Sequence, residues 1–327
     1  MSDRGPVPDP FADDLPAGLT DPVPAGLHVA IVAPGGYAPD AAGLARALAR
    51  LRAFGCRVTN LYDPDAIHQR FGGTDAARAA QIHAAIADPS VDLIIALRGG
   101  YGLTRLLPML DLPRIAASGK RIVGHSDVTA LQLALLREGA PSFAGPMICD
   151  DFTRDDLSEY TMSEFWRCLR GPEHAVRVSA AGNPAADVEG VLWGGNLAML
   201  VSLIGTPWIP RVRDGILFIE DVNEHPYRVE RMLLQLFHAG VLEGQRAVML
   251  GKLSGYRLTP YDNGYDLAAM VAYLRERLSV PLLTGLPFGH IRDKTTLPVG
   301  GHARLQSEEN GFELSVRAYA AMCSASA

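Results

Sequence analysis

The sequence is marked first by what it lacks. Among 327 residues there are four cysteines, Cys56, Cys149, Cys168 and Cys323. No two form a C-x-x-C pair, so neither a disulfide framework nor a zinc cluster is encoded, and the four read as ordinary thiols of a reducing compartment. No apolar run approaches the ~18 residues that a membrane span requires. The opening stretch, rich in Pro, Asp and Gly, has no apolar core of the kind a secretory signal needs, so residues 1–27 read as a loose arm and the chain as cytoplasmic. Basic residues are in deficit, 30 Lys and Arg against 36 Asp and Glu, for a formal charge of −6. With no basic cluster either, a nucleic-acid partner is excluded. Three motifs are also missing. Without G-x-G-x-x-G there is no dinucleotide fingerprint, and without H-E-x-x-H no zinc-peptidase helix. G-x-S-x-G, the elbow of the standard hydrolase fold, is absent too. No cofactor and no metal are expected.

What is present is a globular composition, 48% hydrophobic and 20% charged, long enough for two domains. From residue 28 the text alternates between apolar strands and helical periodicity. HVAIVA (28–33) is followed by Leu44, Ala47, Leu48, Leu51 and Phe54 at helical spacing. A strand at 57–61, a helix from Thr74 or Asp75, the apolar strand DLIIAL (92–97), a helix over 103–110 and a strand at Ile122–Val123 come next. This is the pattern of a parallel sheet with helices on both faces, and ligands of such sheets bind beyond the carboxyl ends of the strands. Pro34-Gly35-Gly36, Arg98-Gly99-Gly100 and Ser126 all fall at those ends. The pattern decays over 151–182, which is expected to be a linker between a nucleophile domain at 28–150 and a second α/β unit at 183–327. In that unit GILFI (215–219) and the stretch 247–252 read as strands, 227–239 and 265–278 as helices, and the tail as an antiparallel hairpin.

Ser126 is the focal residue. It sits on a strand-to-helix turn, Gly124-His125-Ser126-Asp127, where free backbone amides could hold an oxyanion. The competing reading is a helix cap by Ser126 or Asp127, which is far commoner than catalysis. A serine nucleophile needs a base and a carboxylate to orient it. Of nine histidines His290 is the best placed, on a loop after an apolar run, with His225 the runner-up. Glu220 and Glu224 are the candidate acids, either of which could be a plain surface charge. Arg98 among its glycines could bind an anion or anchor a turn. Spacing alone leaves these alternatives open.

Five motifs occur in one order: Arg98-Gly99-Gly100-Tyr101-Gly102, Gly124-His125-Ser126-Asp127, Gly190-x-Leu192-x-Gly194-Gly195-Asn196-Leu197, Leu217-Phe218-Ile219-Glu220-Asp221 and Gly289-His290. Together they resemble the LD-carboxypeptidase family of serine peptidases, and the likeness runs from about His28 to the C-terminal hairpin. The resemblance implies a Rossmann-like N-terminal domain of the class I glutamine-amidotransferase type and a smaller α/β C-terminal domain, with the site between them. It implies Ser126 as nucleophile, Glu220 as orienting acid, His290 as base and the amides of Gly100 and Asp127 as oxyanion donors. Arg98, Gly99, Tyr101, Trp193 and Asn196 are the candidate substrate-binding residues; Trp193 could stack the base of a nucleotide substrate, but core packing is the preferred reading of it. The family is metal-independent and often dimeric, so a homodimer acting on a small peptide is expected. The typical reaction releases the terminal D-alanine of murein tetrapeptide during cell-wall recycling. Two rivals stand beside it: a microcin-immunity-like hydrolase of peptidyl or aminoacyl nucleotides, and a non-catalytic small-molecule-binding protein on the same scaffold. His125 stands where an aromatic is common in the family.

Overall fold

The structure, a computed structural model, describes residues 26–319. Most of the expected arm, residues 1–25, and Cys323 lie outside the described residues. The first unit opens with β1 (His28–Val32), buried at all five positions as a central parallel strand must be. α1 (Ala41–Ala53) follows, capped by the Asp40 carboxylate, which accepts from the Ala42 amide at 3.0 Å. Next come β2 (Arg57–Asn60), α2 (Asp75–Ala87) and β3 (Leu93–Ala96). Thr74 caps α2 through Ala77.

The helix expected over 103–110 does not form. Leu107–Met109 is a single 3-10 turn, and α3 (Leu112–Ala117) starts later, behind an Asp111 cap. Pro108 removes an amide donor and disfavours the helical conformation at the residue before it, whereas Pro113 falls in the first turn of α3, where no donor is needed. β4 (Arg121–Gly124), α4 (Thr129–Arg137) and β5 (Ser142–Ala144) complete the alternation.

The expected linker 151–182 carries α5 (Glu159–Arg170) and β6 (Glu173–Ser179). β6 is half-buried with short alternation, EHAVRVS, which its charged residues conceal in the sequence. β7 (Ala186–Asn196), α6 (Leu197–Leu203), β8 (Gly215–Val222), α7 (Pro226–His238), β9 (Gln245–Ser254), α8 (Leu267–Arg275) and β10 (Leu282–Thr284) follow. Then come β11 (Leu297–Val299) and the hairpin β12 (His302–Glu308) and β13 (Gly311–Arg317). One sheet has the order β11-β5-β4-β3-β1-β2, the other β10-β9-β8-β7-β12-β13-β6. β11 pairs antiparallel with β5, so a segment from late in the chain returns to the first sheet.

Strand β7 joins the two characters of the second sheet. Its first half pairs antiparallel with β12 and its second half, Leu192–Asn196, pairs parallel with β8. Gly194 lies in that second half at φ +135°, and a Cβ there would stand 1.9 Å from the Phe218 carbonyl oxygen. α4 is buried from Thr129 to Leu135 because it packs on its own sheet on one side and on α6 and β7 on the other. Among the described residues no helix is long and apolar enough to cross a membrane.

Gly194→Ala is expected to cost more than ~3 kcal/mol, since it adds a backbone clash to a left-handed conformation. Gly240→Ala, at φ +71° with nothing within 4 Å of the new Cβ, should cost on the order of 1 kcal/mol. Urea unfolding of the two variants checks the order, and equal losses would contradict it.

Candidate active site

The turn after β4 is strained where the chemistry would need it. Ser126 adopts φ +59°, a left-handed conformation that costs a non-glycine residue roughly 1–3 kcal/mol and persists only where the surroundings impose it. The capping alternative fails: Val128, the residue before α4, provides no side-chain cap, and the one hydrogen bond from Ser126 Oγ runs 3.4 Å to Asp127 Oδ2. The hydroxyl is therefore not spent on the helix. Gly99 is packed directly against it, since a Cβ at 99 would lie 2.7 Å from Ser126 Cβ and 3.0 Å from Oγ. The Gly99 carbonyl in turn accepts from the Gly36 amide at 3.0 Å. The three glycine-bearing turns singled out in the sequence thus interlock at the strand ends. Arg98 runs alongside Gly36, and Tyr101 is 49% exposed with its ring 6.0 Å from Phe71.

Burial pushes the Asp127 carboxyl above the usual carboxylate range. The Ser126 hydroxyl, the amides of Asp127 and Gly100 and the charge of His290 act in the opposite sense.

The acid and base come from the second unit. Glu220, near the end of β8, is fully buried and accepts from His290 Nδ1 at 2.8 Å through Oε2 and from Asn196 Nδ2 at 3.2 Å through Oε1. Nδ1 is thereby occupied, and Nε2 is the nitrogen left to exchange a proton. Burial opposes a charge on His290, but the hydrogen bond to Glu220 and its negative charge outweigh it, so the pKa is raised above the ordinary histidine value. Gly289, at φ +135°, lets the loop pass Glu220: a Cβ there would be 3.2 Å from Glu220 Oε2. Asp221 beside it is pushed up to about 6 by burial and the Glu220 charge, although it accepts from the Val222, Ala198 and Asn196 donors.

A direct link joins the two units here. The Asn196 amide donates to Thr129 Oγ1 at 3.0 Å, at the start of α4 three residues from Ser126. The ring of His125, adjacent to Ser126, lies 5.1 Å from the ring of His290. The segment beyond His290 is fastened to α5 and to the turn at 148–152. Thr161 Oγ1 donates to the Arg292 carbonyl, Ser158 Oγ to Asp293 at 2.5 Å, Lys294 Nζ to Asp151 at 2.6 Å and Thr295 Oγ1 to Glu164 at 2.6 Å.

Two expected substrate contacts are corrected. Trp193 is 1% exposed, packed in the core, and donates from Nε1 to Gln245; its side of the β7 pleat faces inward, so it is not available to a ligand. Asn196 is 6% exposed and committed to Glu220, Asp221 and the cap of α6 through the Met199 amide, so it positions the acid. His225, the runner-up base, is paired instead with Asp262 at 3.2 Å and caps α7. Thr129 and the Lys294–Asp151 pair had no signal in spacing, because each makes its contact with a distant part of the chain. Among the described residues no group of three or more His, Cys, Asp or Glu could hold a metal ion, and Cys56, Cys149 and Cys168 are free.

Asn196→Ala removes a helix cap and two buried hydrogen bonds to carboxylates, and should destabilise by roughly 2–4 kcal/mol. A chemical-denaturation curve superimposable on the parent's would contradict the positioning role.

Comparison with known proteins identifies the family. The chain matches the LD-carboxypeptidase N-terminal domain over residues 29–145 and the LD-carboxypeptidase C-terminal domain over residues 189–305. The crystal structure of muramoyltetrapeptide carboxypeptidase from Oxalobacter formigenes is similar at 52% identity and a TM-score of 0.87, covering 89% of this chain and 99% of that one. The murein tetrapeptide carboxypeptidase of Pseudomonas aeruginosa is 31% identical over 74% of this chain and 81% of its own. The microcin C7 self-immunity protein of Escherichia coli is 28% identical over 70% and 75%. The chain belongs to the LD-carboxypeptidase family.

Proposed function

We propose that the protein hydrolyses the L,D-peptide bond that holds the terminal D-alanine of murein tetrapeptide, without a metal, through a Ser126-His290-Glu220 triad. The observation that carries this reading is the 2.8 Å bond from His290 Nδ1 to the fully buried Glu220, close to the strained turn that bears Ser126. In this mechanism Nε2 of His290 takes the Ser126 proton as Oγ attacks the carbonyl carbon. The negative oxygen of the tetrahedral intermediate is held by the amides of Gly100 and Asp127, each such donor being worth roughly 2.7–4 kcal/mol. His290 then protonates the departing amine of D-alanine, takes a proton from water, and the resulting hydroxide releases the acyl group from Ser126. Arg98 and Tyr101 are the candidate substrate contacts, with the Arg98 cation suited to the substrate's terminal carboxylate. The protein would act as a homodimer in the cytoplasm. The peptidyl-nucleotide reading loses its base-stacking candidate, because Trp193 is sealed in the core.

Mass spectrometry of a murein tetrapeptide digest should show loss of D-alanine, and the same enzyme should leave an aminoacyl sulfamoyl adenosine largely intact. Ser126→Ala should remove at least ~10³-fold of kcat with the circular dichroism spectrum unchanged. Preferential cleavage of the nucleotide would overturn the substrate reading, and an active Ser126→Ala would overturn the enzyme mechanism.

The base must be neutral to work. Because Glu220 raises the pKa of His290, the inactive imidazolium persists to higher pH. The acid limb of kcat/KM should therefore lie above about 6.5, the ordinary histidine value. Glu220→Gln removes the raising charge and should move the limb down while lowering kcat. A limb that moves up, or stays, in that variant would contradict the assignment.

A further inference from the structure

The turn that bears Ser126 contains a second histidine that the mechanism above does not use. His125 is 1% exposed, and its Nδ1 lies 2.9 Å from the carbonyl oxygen of Gly145. A carbonyl only accepts, so Nδ1 carries the proton and Nε2 the lone pair. Nε2 is buried with no hydrogen-bond partner among the described residues. Half of the ring's polar capacity is thus unused, and hydrogen bonding alone does not account for an imidazole here.

The contacts of the ring do. It stands edge-to-face against His290, with centroids 5.1 Å apart and planes at 76°, and against Phe288 at 6.4 Å and 77°. Both partners sit on the loop that presents His290 to Glu220. The ring is locked from behind by Gly145, whose own amide donates to the Gly124 carbonyl at 3.1 Å, at the end of β4. One rigid body therefore carries both Ser126 and a wall for His290.

Four charged or titratable groups act on the two rings: Lys294 and Asp150 on both, Glu220 on His290, and Asp127 opposite His290. Lys294 and Asp151 are paired at 2.6 Å and are 1% and 2% exposed. Burial, then the charges of Lys294 and His290, hold the pKa of His125 well below the ordinary histidine value, against Asp150 and the Gly145 carbonyl. Glu220 and Asp150 favour the proton on His290, and Lys294 opposes it. Two imidazoles in contact are thus held in different protonation ranges.

We infer that His125 is a positioning residue for the base: a neutral imidazole, anchored by the Gly145 carbonyl, that seats the His290 ring between Glu220 and Ser126. The inference rests on the triad reading above. It requires shape and rigidity from His125 and no proton transfer, so a phenylalanine should serve in part and an alanine should not.

The test compares His125→Ala and His125→Phe on murein tetrapeptide, with Ser126→Ala as control. His125→Ala should lower kcat by about 10–100-fold, the scale of a misplaced catalytic group, with KM within about threefold of the parent. His125→Phe should recover most of that loss and leave the acid limb in place. A Phe variant as impaired as the Ala variant, or an Ala variant with the parent's kcat, would overturn the proposal. Proton NMR of the unmutated protein decides if a variant fails to fold: the His290 resonances should titrate across neutral pH while those of His125 stay constant. Two rings titrating together would overturn it. An active Ser126→Ala control would sink the triad instead, while the NMR titration would still judge the neutral ring by itself.

Discussion

The structure depends on one buried charge. Glu220 is fully enclosed, and a carboxylate in that position is tolerable only if donors surround it. Two are present, His290 Nδ1 on one oxygen and Asn196 Nδ2 on the other. Each donor is itself tied down, Asn196 to the start of α6 and to Thr129, His290 by the loop that Gly289 allows to pass. The consequence for chemistry is that the imidazole has one orientation and an elevated proton affinity. The consequence for architecture is that the second unit cannot rotate freely against the first, because the Thr129–Asn196 bond lies at the base of the helix that Ser126 precedes.

The same constraint explains why the chain crosses back. β11 belongs in sequence to the second unit yet pairs with β5 of the first. Its approach passes through Arg292, Asp293, Lys294 and Thr295, each bonded to α5 or to the turn at 148–152. The Lys294–Asp151 pair is sealed from solvent, where an ion pair adds little net stability but breaking one partner is costly. Its geometric effect is to fix the path of the chain just beyond His290.

Much of this was legible in the residues because local physics dictates it. The apolar runs at 28–33 and 92–97 had to be central parallel strands, and Thr74 had to start a helix. The interlocking of Gly35, Gly99 and Ser126 could be expected from their shared place at strand ends. The 103–110 helix failed at Pro108, whose missing amide outweighs the leucine pattern. β6 and β11 were unreadable for other reasons: one alternates among charges, the other is three residues long and exists only because β5 offers an edge. Trp193 and Asn196 show the limit most clearly. Both lie in a motif that the resemblance places at the site, but the pleat of β7 turns the tryptophan into the core and gives the asparagine to Glu220. Which face a motif residue takes is set by pairing with β8, and no spacing rule contains that.

The central claim is that His290, held by Glu220, activates Ser126, and covalent labelling tests it most directly. An organophosphonate fluoride that phosphonylates activated serines should add one mass increment, mapped by peptide sequencing to Ser126. The labelling rate should fall by at least ~10²-fold in His290→Ala. A label on another residue, or an unchanged rate in that variant, would contradict the account.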